Sequence, residues 1–168
     1  VLTRAGAGNF TAGTADNLTL TALDASGGVS LSYTGLHNIT FAGANPSPNP
    51  ATPPSVSSST GTQIAFGTAV PLNFVAGVAT VSGANNGVLR LYRTEAVAIT
   101  ATDGTIATAA PLAFNVVHGP LGKFTFALAT PQQNGVNFTG PSTLRAEDAF
   151  GNTATSFNAS VQPVTVTA

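Results

Sequence analysis

Asn17-Leu-Thr-Leu-Thr-Ala-Leu-Asp24-Ala-Ser-Gly-Gly-Val-Ser-Leu-Ser-Tyr33 is the stretch from which the fold of this chain is read. Apolar residues alternate with small polar ones over residues 18–22 and again over 29–33, the period-two signature of half-buried strands. Asp24-Ala-Ser-Gly-Gly28 between them has the composition of a tight turn. The stretch predicts a hairpin. It also recurs: Ser142-Thr-Leu-Arg-Ala-Glu-Asp148-Ala-Phe-Gly-Asn-Thr-Ala-Thr-Ser-Phe157 sets Ala146, Asp148, Gly151, Ser156 and Phe157 in step with Ala22, Asp24, Gly27, Ser32 and Tyr33, each 124 positions earlier. That period exceeds a solenoid unit and matches a whole β-sandwich domain, so it predicts beads on a string.

On this offset residues 1–118 read as one sandwich unit and residues 119–168 as the first portion of a second. Val1 falls opposite Thr125, inside the apolar run Phe124-Thr-Phe-Ala-Leu128, so the first strand of the first unit is expected to be partly missing. Further strands are predicted at residues 38–42, 63–66, 70–74, 78–82, 88–92, 97–101 and 111–117, a spacing that suits two packed antiparallel sheets. Leu18, Leu20, Val29, Leu31, Tyr33, Ile99, Phe114 and Val116 are expected to point inward. Between Ala44 and Thr62 the chain is rich in proline and serine, which predicts an exposed, partly extended loop unable to pair inside a sheet. His118-Gly119-Pro120 marks the junction where the pattern restarts.

Composition narrows the class further. Charged residues make up 7% of the chain, against about 25% in ordinary soluble domains, so its surface must be hydroxyl- and amide-rich. A net charge of −1 with five basic residues in 168 gives no footprint for nucleic acid or anionic lipid. No stretch approaches the ~18 consecutive apolar residues of a membrane helix, so no membrane span is expected. Cysteine is absent, which leaves stability to core burial.

The order of motifs carries a resemblance. Thr-Leu-Thr-Ala-x-Asp-x-x-Gly-Gly with Ser-Tyr33-Thr-Gly35, Ile39-Thr-Phe41, Pro71-Leu-Asn-Phe74 with Gly77-Val-Ala-Thr80, Ala96-Val-Ala-Ile-Thr-Ala-Thr-Asp103-Gly104 and Phe114-Asn-Val-Val before a Gly/Pro joint resembles the bacterial immunoglobulin-like repeats of large surface and adhesin-type proteins. Two departures stand out: the Pro/Ser segment is longer than the family pattern, and Gly28 stands where the second copy has Asn152. The resemblance implies an immunoglobulin-like antiparallel sandwich. It further implies an extracellular, secreted or cell-surface location and a non-enzymatic role as a structural module of a filament, stalk or surface layer. An adhesin or carbohydrate-binding module and an accessory domain of a large secreted enzyme are the alternatives. Sugar platforms favour exposed Trp and Tyr, whereas this chain has no Trp, two Tyr and ten Phe.

Candidate site residues are few. His37 and His118 have no acid or nucleophile beside them in sequence, and no zinc, phosphate-loop or calcium-loop spacing occurs, so no catalytic residue, cofactor or metal is expected. Asp24 and Asp148 read as turn-capping carboxylates, and Lys123 as a charge that guards an edge strand. Acceptor sequons for N-glycosylation stand at Asn9, Asn17, Asn38, Asn137 and Asn158, and the Ser/Thr/Pro segment has the composition of O-glycosylated chain. The expected partners are adjacent immunoglobulin-like repeats or other copies of the chain, with attached glycan the alternative to a bare polar surface. Residues 119–168 hold too few strands to close a sandwich, which leaves two readings: Phe124, Phe126, Leu144 and Phe157 lie at a subunit contact where strands from another copy complete the unit head to tail, or the remaining strands of the unit are missing from this stretch.

Overall fold

Alternating burial along the strands generates the architecture. In the computed structural model, which describes residues 1–137 and 139–165, the strands are β1 Leu2–Arg4, β2 Phe10–Thr11, β3 Ala15–Thr21, β4 Gly35–Ala42, β5 Ser55–Ser57, β6 Gln63–Ala65, β7 Ala69–Phe74, β8 Val78–Thr80, β9 Val88–Arg90, β10 Glu95–Thr102, β11 Leu112–Val117, β12 Leu121–Ala127 and β13 Thr143–Asp148. No helix occurs among the described residues. Leu18 and Leu20 of β3, Ile39 and Phe41 of β4, Leu72 of β7 and Ile99 of β10 are buried at every second position, while the residues between them face outward or stay half-exposed.

Two sheets carry those faces. One runs β1-β3-β9-β5-β6 with β8 beside β3, and the other β2-β11-β10-β4-β7. Their inner faces share one core, so the protein is an all-β, immunoglobulin-like sandwich, as the period-two runs predict. Pairing is antiparallel except between β2 and β11, where Phe10 lies beside Val116 and Thr11 beside Val117 in parallel. At the outer edge of this core the Arg4 guanidinium lies 4.2 Å from the Phe114 ring centre and 2.8 Å from Asp16 Oδ2, sealing an edge without a free buried charge.

Two predicted elements differ. The first hairpin has only one real arm: the turn after β3 closes through a single bridge, Leu23 to Val29, and the chain then turns at residues 30–33 instead of pairing. Val29 and Leu31 are 43% and 70% exposed, not inward. Tyr33 is half-buried, packed edge-on to Phe74 with centroids 4.9 Å apart, and strand geometry resumes at Gly35. Alternation alone misleads here, since polar–apolar alternation also fits a surface turn.

The Pro/Ser segment is the second difference. Its latter part is β5, which lies inside a sheet between β6 and β9, and Val56 and Ser57 are fully buried. Serine succeeds in this interior strand because its hydroxyl is satisfied there: Ser57 Oγ accepts the Val88 N–H at 2.9 Å in place of a ladder bond, and Ser55 Oγ donates to the Gln63 side chain at Oε1, 2.8 Å away. Proline is confined to the segment before it. Ser57→Ala is therefore expected to cost about 1–3 kcal/mol by orphaning a buried N–H. Chemical denaturation checks this, and a loss below ~0.5 kcal/mol would show the hydroxyl to be dispensable.

The Asp24 and Asp148 turns share their main-chain hydrogen bonds. Leu2 pairs with Leu20 in the first unit and Phe126 with Leu144 in β12–β13. Asp24 N–H donates to Gly28 O and Ser30 N–H to Ala22 O; Asp148 N–H donates to Asn152 O and Ala154 N–H to Ala146 O. Gly27 and Gly151 both hold φ near the left-handed region, at 86° and 80°, where a side chain would strain the turn. What differs is the cover. Leu2 and Leu20 are each 6% exposed beneath the facing sheet, whereas Phe126 and Leu144 are 49% and 41% exposed, because β12 and β13 form a two-stranded sheet of their own.

Candidate functional site

The most highly organised polar cluster of the molecule sits where the β13 turn meets the end of the first sandwich. β13 delivers Asp148 into this contact at 1% exposure. Its Oδ1 accepts the N–H groups of Phe150 and Asn152, both at 2.9 Å. Its Oδ2 accepts the Asn152 amide at 2.8 Å and reaches back across the junction to the Gly119 N–H, also at 2.8 Å. Asn152, 3% exposed, then bonds the preceding unit in both directions: Nδ2 donates to Tyr92 O at 2.7 Å and Oδ1 accepts the Thr94 N–H at 2.8 Å. The Asn49 N–H donates to Phe150 O at 3.0 Å.

Packing completes the contact. The Phe150 ring lies 4.9 Å from the Tyr92 ring and directly over Gly13, where a Cβ would come within 2.4 Å of it. Gly13 is thus required twice, by its φ of 85° and by this close approach. At the rim Lys123 Nζ donates to Asn49 O at 3.1 Å and lies 3.9 Å from Glu147 Oε2. No buried side-chain polar atom among the described residues lacks a partner, so the joint is a satisfied network and not a loose touch.

Burial pushes the Asp148 carboxyl up, but the bonds from the Asn152 amide and from the N–H groups of Gly119, Asn152 and Phe150 outweigh it and hold the group below the usual carboxylate range. A depressed folded-state value adds stability that is complete above the unfolded pKa and lost as pH falls through the folded one. The joint is therefore expected to stay closed from pH 8 down to about pH 5 and to loosen below about pH 4. Hydrogen exchange at Gly119 across that range checks it, and opening already at pH 6 would contradict the sign.

The other sequence-marked residues lie apart. Phe124, Phe126 and Leu144 form one exposed apolar face of β12–β13, with the half-buried Phe157 ring 5.2 Å from that of Phe124. Asn9, Asn17, Asn38, Asn137 and Asn158 are all exposed. His37 stacks on Tyr33 with centroids 3.7 Å apart, and the Tyr33 hydroxyl donates to Asp103 Oδ2 at 2.6 Å. His118 Nδ1 lies 2.7 Å from Gly119 O. The two histidines are not brought together, and no group of three or more His, Asp or Glu among the described residues is placed to hold a metal. An apolar groove at the open edge of the sandwich is lined by Val1, Ala22, Leu23, Ile106 and Leu112, with Tyr33 and Asp103 at its wall. No described helix is long and apolar enough to cross a membrane.

Sequence reading singled out Asp148 as a turn cap but not Phe150, Asn152, Tyr92, Thr94, Asn49 or Gly13 as a joint. The available signal was the departure at position 28/152, glycine in one copy and asparagine in the other. No family model, curated protein or solved structure matches this chain.

Proposed function

We propose that the chain is a structural module of an extracellular filament, stalk or surface layer, in which tandem immunoglobulin-like units are held end to end by the Asp148 turn. The observation that carries this reading is the satisfied network across the junction. A buried carboxylate and amide that bond Gly119, Tyr92 and Thr94 fix the angle between a unit and the start of the next, which is what a load-bearing array requires. Low surface charge and five exposed sequons support an extracellular, glycan-bearing surface. Neither tyrosine offers a free ring for sugar stacking: His37 covers one and Phe150 packs on the other. This disfavours the carbohydrate-binding alternative.

The proposal extends to assembly. Phe124, Phe126 and Leu144 form an exposed apolar face on the separate β12–β13 sheet, and a second copy docking there head to tail would cover it. Such a heterologous contact propagates instead of closing. Sedimentation over a concentration series tests it: the chain should associate progressively, and Phe126→Arg should abolish association while leaving thermal unfolding of the sandwich unchanged. A chain that stays monomeric throughout would refute strand complementation between copies. Imaging of the native assembly at side-chain resolution would show whether successive copies touch at this face.

A further inference from the structure

The two copies of the turn share their backbone and differ at their tips. Every main-chain bond that closes Asp24–Gly28 has its counterpart in Asp148–Asn152, and in both copies the aspartate Oδ1 accepts the N–H groups of the third and fifth turn residues: Ser26 and Gly28 in one, Phe150 and Asn152 in the other. Turn formation therefore needs the aspartate and the glycine at 27 or 151, and is indifferent to the residues at the third and fifth positions. Those two positions nevertheless supply the side chains that reach the preceding unit. Phe150 fills the space over Gly13 beside Tyr92, and Asn152 bonds Tyr92 O and Thr94 N–H. The Asp24 turn, with Ser26 and Gly28 in their place, is exposed.

We infer that the end of the first sandwich formed by Gly13, Asn49, Tyr92 and Thr94 is a receptor for a turn of the form Asp-x-aromatic-Gly-Asn on the following unit, and that Phe150 and Asn152 are its specificity-determining residues. The receptor reads three features. An aromatic ring fits because it packs on the Tyr92 ring at 4.9 Å and lies over Gly13, which has no side chain to displace it. A side-chain amide suits because Tyr92 O requires a donor and Thr94 N–H an acceptor, and asparagine carries the two on separate atoms of one short side chain. The Phe150 carbonyl, held in place by the turn, receives the Asn49 N–H.

This inference rests on the tandem-module reading for its biological use, but its test separates the two. The Phe150→Ser, Asn152→Gly double variant gives the second turn the tip of the first. It keeps the Phe150 carbonyl position intact, so the Asn49 amide reports docking and not the loss of its acceptor group. Expected is exchange of the Asn49 amide faster by at least about tenfold, with the Gly151 amide still protected inside the turn. NMR relaxation should show residues 119–165 tumbling independently of the sandwich, whereas the single variant Phe150→Tyr should keep the wild-type pattern. Unchanged Asn49 protection in the double variant, with common tumbling, overturns the specificity inference. Independent tumbling in the wild-type chain would instead overturn the reading of the joint as a stiff connection.

Discussion

Asp148→Ala should release residues 119–165 from the first unit while leaving that unit folded. The substitution removes at once the acceptor of four N–H donors, those of Gly119, Phe150 and Asn152 and the Asn152 amide. Each orphaned buried donor costs about 1–3 kcal/mol where water cannot reach it. The turn can open and resolvate part of this, so a net loss of about 2–4 kcal/mol for the docked state is expected. Asp148→Asn keeps the shape but substitutes a donor for one acceptor, and should fall between the two. The measurement is hydrogen exchange at Gly119 and Asn152 together with protease sensitivity of the segment between β12 and β13. Retained protection in the alanine variant would mean that packing of Phe150 holds the joint without the carboxylate.

Phe41→Ala should be the most damaging single truncation in the sandwich. The Phe41 side chain is fully buried near the end of β4, its ring 5.8 Å from that of Phe66. Removing a buried phenylalanine from a core that cannot collapse costs about 3–5 kcal/mol. Leu31→Ala provides the contrast, since Leu31 is 70% exposed and its loss should stay within about 0.5 kcal/mol. Denaturant titration of both variants decides the matter. Comparable losses would restore Leu31 to the core, where simple alternation places it.

That contrast also marks what the sequence discloses. Leu18, Leu20, Ile99 and Val116 lie inward as their spacing predicts, because those strands sit mid-sheet, where one face is dry and the other wet. Val29 and Leu31 carry the same spacing on a turn, where nothing stands above them to bury. Ser57 shows the reverse failure: its neighbours Pro53, Pro54, Ser58 and Ser59 have loop chemistry, and only the tertiary partner Val88 turns the hydroxyl into a ladder substitute. The joint was half legible. Asp148 and Gly151 announce a turn by local rules, whereas Thr94 N–H and Tyr92 O enter as main-chain groups, which carry no signature of residue type, and the Tyr92 ring meets Phe150 from a position distant in the sequence.

One feature of the sandwich bears on how it would answer force. β2 enters the second sheet beside β11 and parallel to it, with the Ala12 N–H also bonded to Val117 O at 2.9 Å. Tension drawn between the beginning of the unit and its exit at His118 would pull these two strands past each other along their length. The bonds at Phe10–Val116, Thr11–Val117 and Ala12 would then share the load together, since sliding must strain all of them in the same instant. Hairpin edges such as β12–β13, pulled apart from their open end, surrender one bond after another. The unit thus places a shear lock at its own ends and leaves its peelable edge to the next.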